Sequence, residues 1–165
     1  KILICPQYDS IDGPLIFLMG PILGSYRWQD DAIQLIKNSA PELNIASPRR
    51  AVGRDTDFTE AMYIEQVDWE TCYLRRAGKE GVILCWLAKE RKHNCESPYA
   101  QTSRFELGEW KMRHERDGSH LVVGIEEGFT NAQYIKRRLG QDCPDVPICS
   151  TLEDTCAEAI TCVQG

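Results

Sequence analysis

The chain lacks the features that would point to a membrane or to nucleic acid. None of its apolar runs approaches the roughly 18 consecutive residues of a transmembrane helix. Asp and Glu (25) outnumber Lys and Arg (19), and the net charge of −6 disfavours binding to DNA, RNA or anionic lipid. The first residues show no secretory signal pattern. We therefore expect a cytoplasmic protein that binds neither a nucleic-acid polymer nor a membrane.

Motifs for metal binding are also missing. No two of the 8 cysteines form a C-x-x-C pair, and none of the 3 histidines stands at zinc-ligand spacing. We accordingly expect no metal site. The cysteines are expected to be mainly buried free thiols, since Cys is among the most buried residue types. A disulfide among the last four cysteines is the alternative.

Short apolar runs alternate with amphipathic segments along the chain. The runs predict five strands, at 15–19, 44–47, 81–87, 120–125 and 146–150. The amphipathic segments predict five helices, at 25–39, 59–77, 103–116, 131–139 and 151–163. Apolar strands separated by helices indicate a parallel sheet covered on both faces. We predict one α/β domain over residues 1–165, a doubly wound three-layer domain with a five-stranded parallel sheet and an N-terminal extension at 1–14.

The loops after the predicted strands are where ligands bind in such folds. Gly20 and Gly24 follow the first strand, and glycines allow the backbone to approach a ligand closely. The loop matches neither G-x-G-x-x-G nor the Walker pattern, so dinucleotide or triphosphate binding is not indicated. Arg49 and Arg50 follow the second strand and could hold a phosphate or a carboxylate. An ordinary turn and two solvated arginines are the structural alternatives.

Carboxylates border the apolar stripe of the helix predicted at 59–77. Glu70 and Asp68 lie at opposite edges of the stripe that contains Val67. A carboxylate at such an edge needs a charged partner or a function. Salt bridges to the nearby arginines are the structural alternative.

Glu106 has two competing interpretations. With Ser103 it fits an S-x-x-E capping box, which explains it structurally. A carboxylate in the first turn of a helix is also stabilised as an anion by the helix dipole. An ionised, positioned carboxylate is what a glycosidic nucleophile requires. Gly108, which costs roughly 1 kcal/mol in a helix relative to Ala, predicts a group packed close to it.

Several of these residues belong to short motifs that occur in a fixed order. The motifs are I-F-L-M-G-P-I (16–22), W-Q (28–29), S-P-R-R (47–50), Q-V-D-W-E (66–70), V-I-L-C-W-L (82–87) and S-R-F-E-L-G-E-W (103–110). Together they resemble the nucleoside 2-deoxyribosyltransferase family, in particular the branch with Q-V-D-W-E and R-F-E-L-G signatures. The resemblance covers about residues 15–135. It implies a flavodoxin-like fold and transfer of deoxyribose from a nucleoside to another free base.

The resemblance assigns roles to the carboxylates. Glu106 matches the family's covalent nucleophile, which attacks the anomeric carbon as the base leaves. Asp68 is the candidate acid that protonates the departing base, because the family places an acidic residue on this helix. Glu70 is the alternative for that role. No metal or organic cofactor is implied.

The resemblance also implies a substrate pocket. Gly20 and Pro21 would line the sugar site, and Trp28 and Tyr63 would be aromatic walls for the base. Asn131 follows the fourth predicted strand, where the family supplies an asparagine, often across a subunit interface. We therefore expect a homo-oligomer, a dimer or larger, with a nucleoside and a free nucleobase as its small-molecule partners.

One departure from the family concerns the sugar. Many members carry an aspartate about six residues before the nucleophile, where this chain has Ala100. Hydroxyl groups of Thr102 or Ser103 are expected to replace it. Arg49, together with Arg50, adds the option of a nucleotide 5′-phosphate.

Other functions remain open from the sequence. If water reaches the Glu106 intermediate, the protein is a nucleoside or nucleoside 5′-monophosphate N-glycosidase. A non-catalytic nucleotide-binding module on the same fold is a further alternative, because fold does not prove function. The polar segment 88–100 is long enough for a lid, and we expect it to be mobile.

Overall fold

The computed structural model of the chain describes residues 1–51 and 58–165. Within them lie six strands and five helices. The strands are β1 (Ile2–Ile4), β2 (Leu15–Met19), β3 (Asn44–Ser47), β4 (Gly81–Leu87), β5 (Leu121–Ile125) and β6 (Ile148–Cys149). The helices are α1 (Trp28–Ser39), α2 (Glu60–Lys79), α3 (Gln101–Asp117), α4 (Ala132–Asp142) and α5 (Leu152–Gln164). Every predicted strand and helix is confirmed in type and approximate place.

All described strands run parallel in one sheet, in the order β1-β3-β2-β4-β5-β6. Without β1, this is the 2-1-3-4-5 order of flavodoxin-like domains. After β2 the chain passes to β3 on one side and later to β4 on the other. The switch in strand order therefore lies between β2 and β4, where such folds bind ligands.

The predicted count of five strands is wrong, because the described sheet has six. The additional strand, β1, lies inside the segment predicted as an extension and pairs with β3 at the edge of the sheet. It has only three residues, too few for an apolar period to be recognised. Pro6 ends the run soon afterwards.

Alternating side chains of the strands supply two cores, one on each face of the sheet. On β2, Phe17 and Met19 face one core with Trp69 of α2. Ile16 and Leu18 face the other core, which α1 and α5 cover. This is the alternation that a pleated strand imposes. Both faces of the sheet are thus buried, as the apolar strands predict. The edge formed by the C-terminal ends of the strands is where a ligand can bind.

The residues that follow β1 run alongside α2 and are joined to it by hydrogen bonds. These bonds connect Cys5 Sγ to Gln66 Oε1 (3.0 Å), Trp69 Nε1 to the Gln7 carbonyl (2.8 Å) and the Asp9 amide to the Tyr73 hydroxyl (2.9 Å). The helix positions involved are spaced three and four residues apart, so they form one stripe of α2. Residues 5–9, which we call the N-terminal segment, therefore fix α2 in position.

Among the described residues, no helix combines the length and the apolar character needed to cross a membrane. The cysteines they contain are free thiols. Four are buried, at Cys5, Cys85, Cys143 and Cys156, and the others are partly or fully exposed. Burial raises the pKa of the Cys85 thiol far above its usual range, so this thiol is inert near neutral pH.

Candidate active site

A cavity of about 630 Å³ opens at the carboxyl ends of β2 and β4, at the switch in strand order. Its walls are the segment after β2, one side of α2, the loop after β4 and the first turns of α3. Phe17 and Met19 contribute apolar surface to it, and the polar part of the lining includes carboxyl, hydroxyl and amide groups together with Lys92 and His93. Such a cavity can exclude water from part of a small ligand and orient the rest.

Most of the predicted site residues meet in this cavity. It is lined by Gly20, Pro21, Tyr63, Glu70, Thr102, Ser103 and Glu106. The structure does not bring Asp68, Trp28, Arg49 or Asn131 to its walls. The predicted residues that line the cavity come from the segment after β2, from α2 and from the start of α3.

Glu106 is partly buried in the cavity and receives no hydrogen bond or ion pair from residues 1–51 or 58–165. Loss of hydration raises the pKa of Glu106 to about 8, and the negative charges of Glu70 and Glu109 add to the increase. The carboxyl group therefore holds a proton through most of the neutral range. This differs from the expectation of an anion stabilised by the helix dipole.

The predicted capping box at Ser103 and Glu106 is wrong. Helix α3 begins at Gln101, and the residue before it, Ala100, has a left-handed backbone (φ 56°) and provides no side-chain cap. Ser103 is the third residue of the helix and Glu106 lies in its second turn. Sequence patterns missed this start because left-handed backbone is usually marked by glycine or asparagine, and Ala100 is neither.

Gly108 also departs from its prediction. A side-chain carbon built at Gly108 meets no described atom within 4 Å. The glycine therefore makes no close packing contact that would explain it. The free-energy cost of a glycine inside a helix is therefore not offset by a packing contact with residues 1–51 or 58–165.

Glu70 is held by a hydrogen-bond network on α2. The side-chain amide of Gln66 donates to Glu70 Oε1 at 2.7 Å, and Gln66 itself is only 3% exposed. Gln66 Oε1 accepts from Arg50 Nε at 2.9 Å, and Arg50 also pairs with Glu65 at 2.8 Å. Sequence analysis missed Gln66, although its i, i+4 spacing from Glu70 is a recognisable signal.

Asp68 is exposed on the other flank of α2, where its charge acts on the Tyr8 phenol. Of the two carboxylates at the edges of the predicted stripe, Glu70 is the one that reaches the cavity, although Val67 in that stripe is itself 39% exposed. The two borders are equivalent by helical periodicity, and only the packing of α3 beside α2 distinguishes them. Asn131 is exposed at the N-cap of α4 and contributes no side-chain cap there.

Trp28 and Arg49 donate hydrogen bonds to backbone carbonyls of the segment after β2 and do not line the cavity. Trp28 is fully buried and donates its indole N–H to the Pro21 carbonyl at 2.9 Å. The Arg49 guanidinium donates to the carbonyls of Ile22 and Tyr26 and to Gln29 Oε1 at 3.2–3.4 Å. Arg49 and Arg50 are therefore engaged by the protein itself, instead of facing solvent.

Gly20 and Gly24 allow close approaches in this segment. A side-chain carbon at Gly20 would collide with the Trp86 carbonyl oxygen. Gly24 has a left-handed backbone (φ 78°), and its carbonyl accepts from the backbone amides of Arg91 and Lys92 at 2.7 and 3.1 Å. The loop at 88–100 is thereby tied to the opposite wall of the cavity. Its mobility stays a prediction for hydrogen exchange to test.

No group of three or more His, Cys, Asp or Glu side chains is arranged to hold a metal ion in the described part of the chain. The carboxyl groups of Glu70 and Glu106 line the cavity together with hydroxyl groups. Two carboxyl groups in one partly desolvated cavity can divide acid and nucleophile roles between them.

Comparison with known proteins adds information on the fold. No protein-family model and no curated protein matches the chain. Solved structures do match, among them the crystal structure of a conserved protein from Enterococcus faecalis. That protein is 13% identical, with a TM-score of 0.54, and the match covers 91% of this chain and 99% of that one. At this identity the similarity concerns the α/β fold alone.

Proposed function

We propose that the protein is a nucleoside 2-deoxyribosyltransferase that uses Glu106 as its nucleophile and Glu70 as its acid. The observation that carries the proposal is the Glu106 carboxyl group, which lies beside Glu70 in the cavity at the switch in strand order without a described hydrogen-bond partner. A carboxyl group left without donors in a cavity is costly for the fold. The order of motifs from 16 to 110 supports the same reaction.

The first half of the reaction breaks the bond between sugar and base. A Glu106 carboxylate oxygen attacks the anomeric carbon, and the electron pair of the C–N bond leaves with the base. Glu70 donates a proton to the departing ring nitrogen. In the second half, a nitrogen of another free base attacks the same carbon and Glu106 leaves as a carboxylate. Glu70 then takes back a proton, so that atoms and charge balance.

Other cavity residues would bind the substrate. Ser103 is nearly buried and, like Thr102, lines the cavity one helical turn before Glu106. Their hydroxyl groups are suited to the sugar. Tyr63 is 60% exposed and lines the cavity from α2, where its ring can cover a base. Residues from a second copy of the chain would complete the pocket in the proposed homo-oligomer.

Incubation with deoxynucleosides tests the proposal. Purified protein is mixed with thymidine or 2′-deoxyadenosine, with and without a different free base, and the products are separated by chromatography. We expect a new nucleoside only when an acceptor base is present. Glu106→Gln should reduce the rate by at least about a thousandfold, because the covalent route is lost.

Glu115→Gln is the matched control for that variant. Glu115 lies on the same helix, is exposed and pairs with Lys111 at 3.5 Å. Its replacement should change the rate less than about threefold, because surface ion pairs contribute little. Equal losses in both variants would contradict the role of Glu106.

Hydrolysis is the second candidate. The loop residues at the cavity mouth, including Lys92 and His93, are exposed, so water has a route to a glycosyl intermediate. Free base and free sugar formed without an acceptor would establish an N-glycosidase. The same incubation with 5′-monophosphates tests the nucleotide form of that reaction. Binding without turnover on either substrate would favour a non-catalytic module.

A further inference from the structure

The side-chain amide of Gln66 uses its whole hydrogen-bonding capacity. Its Nε2 donates to the Pro48 carbonyl and to Glu70 Oε1, both at 2.7 Å. Its Oε1 accepts from Arg50 Nε at 2.9 Å and from Cys5 Sγ at 3.0 Å. An amide has two donor hydrogens and two acceptor lone pairs, so each is matched once.

These partners allow one orientation of the amide. A flipped Gln66 would point its oxygen at the Pro48 carbonyl and the Glu70 carboxylate, which are both acceptors. It would also point one hydrogen at Arg50, which can only donate, and the other at Cys5 Sγ, which accepts weakly. Three of the four favourable contacts would become unfavourable. The N–H of Gln66 is therefore directed at Glu70 at all times.

A hydrogen bond donated to a carboxylate stabilises the ionised form. Glu70 receives one from Gln66, whereas Glu106 receives none from residues 1–51 or 58–165. The two carboxyl groups share one cavity, and their mutual repulsion disfavours two negative charges there. The donor at Glu70 favours placing the charge there.

We propose that Gln66 is a positioning residue that keeps Glu70 ionised and leaves the shared proton on Glu106 in the resting protein. This inference rests on the proposed function for its catalytic meaning. In the resting state Glu106 is then the protonated partner, whereas attack on a sugar needs it as a carboxylate. The reaction therefore begins with one proton transfer, in which the Glu106 O–H bond breaks and an O–H bond forms on Glu70.

Other groups act on the same pair without changing this order. Arg50 reaches Glu70 through Gln66, and its own ion pair with Glu65 lies outside the cavity lining. Among the residues that the structure describes, the remaining titratable or charged groups at the cavity or the pair are Tyr63, Cys85, Glu90, Lys92, His93, Tyr99 and Glu109. Glu90 accepts from His93 at 3.0 Å, so these two groups are occupied with each other.

Carbon-13 NMR of protein labelled at the glutamate carboxyl carbon tests the inference directly. Spectra of Glu70→Gln and Glu106→Gln assign the two resonances. Wild-type protein should show Glu70 as the carboxylate at pH values where Glu106 is still protonated. In Gln66→Met, which has a similar volume but no amide, the Glu70 midpoint should rise by about one pH unit.

Tyr73→Phe is the matched control. It removes a hydroxyl group from the same helix that bonds to the Asp9 backbone, so it weakens the hold on α2 without touching the pair. Its Glu70 midpoint should equal that of the wild type. An unchanged midpoint in folded Gln66→Met, or an equal change in Tyr73→Phe, would overturn the inference. Gln66→Leu, which also lacks the amide and adds no charge, gives a second test should the methionine variant not fold.

Activity provides a separate measurement. The acid limb of the kcat/KM profile reports a second proton bound by the pair, and it should move to higher pH in Gln66→Met in step with the Glu70 midpoint. A protein without turnover on any substrate contradicts the proposed function, while the NMR titration still decides the role of Gln66. A moved midpoint with an unmoved limb would contradict the catalytic meaning of the inference alone.

Discussion

Two cavities on opposite faces of the sheet hold carboxyl groups in different states. The candidate active site lies between α2 and α3, and a second cavity of about 460 Å³ lies between α1 and the start of α5. Asp31, Glu126 and Glu153 line the second one. Glu126 accepts from the Lys89 amide at 2.8 Å and from Arg91 at 2.5 Å, and the other two are exposed to water.

The difference teaches that acidic residues in a cavity are not in themselves a reactive site. In the second cavity each carboxylate has hydrogen-bond donors or is open to water. In the candidate site, Glu106 has lost its hydration without gaining a described donor. The reactivity proposed for Glu106 would follow from what surrounds it, and five variants can break or sharpen this contrast.

The largest effect is expected on turnover. Glu70→Gln should lower kcat/KM for base exchange by about a hundredfold or more, because general acid catalysis contributes about that much. Glu153→Gln, in the second cavity, should lower it by less than about twofold, in line with an exposed residue far from the chemistry. Steady-state kinetics of both variants provide the comparison. Similar losses of kcat/KM in Glu70→Gln and Glu153→Gln would contradict the difference proposed between the two cavities.

The pH dependence of stability is the next largest effect. The pKa of Glu106 is raised from 4.5 to about 8. Below pH 4.5 the group is protonated in the folded and unfolded chain and costs nothing. Between the two values only the unfolded chain releases the proton, so wild-type stability falls as the pH rises, by up to about 1.4 kcal/mol per pH unit.

Glu106→Gln lacks that loss and should gain stability relative to the wild type from pH 5 to pH 8. Denaturant unfolding across this range measures the gain. Glu153→Gln should follow the wild-type curve in parallel. A constant difference between Glu106→Gln and wild type would show that Glu106 titrates normally.

Gly20→Ala tests the place where the two regions meet. Gly20 lines the candidate site, and its backbone lies against the carbonyl of Trp86, whose side chain lines the second cavity. A methyl group there would collide with this carbonyl and should lower the free energy of unfolding by about 1–3 kcal/mol. Thermal unfolding measures it, and an unchanged midpoint would contradict the close approach.

The smallest effect is expected at Gly108, one turn of α3 from the candidate site. Gly108→Ala meets open space and should raise the free energy of unfolding by about 0.5–1 kcal/mol. Thermal unfolding should show a higher midpoint for Gly108→Ala, whereas Gly20→Ala should lower it. A loss of stability instead would reveal a neighbour at Gly108, such as a second copy of the chain.

The sheet could be predicted from the sequence because its strands are near-continuous apolar runs. β4 has seven residues, and the last six are both apolar and buried. No helix signal competes with this run. β1 could not be found in the same way, since three residues carry no period. Its place is decided by pairing with β3, which is distant in the chain.

The presence of Glu106 in the candidate site could be predicted from the sequence, and its surroundings only in part. Glu106 stands out through its motif, but its protonation depends on burial by elements distant in sequence. The choice between Asp68 and Glu70 depends on which side of α2 faces α3, and helical periodicity treats the two alike. Arg49 and Arg50 have the pattern of an anion site, yet neighbouring carbonyl, amide and carboxylate groups occupy them.

The contact between the N-terminal segment and α2 gives the beginning of the described chain a share in the chemistry. None of the catalytic candidates lies in residues 5–9, yet these residues touch the helix stripe that ends at Gln66, next to Glu70. A chain that lacks residues 1–10 would keep every catalytic candidate. It would lose the contacts of the N-terminal segment with α2, the helix that carries Gln66 and Glu70. Activity lost by such a shortening should return when a peptide of residues 1–10 is added in trans.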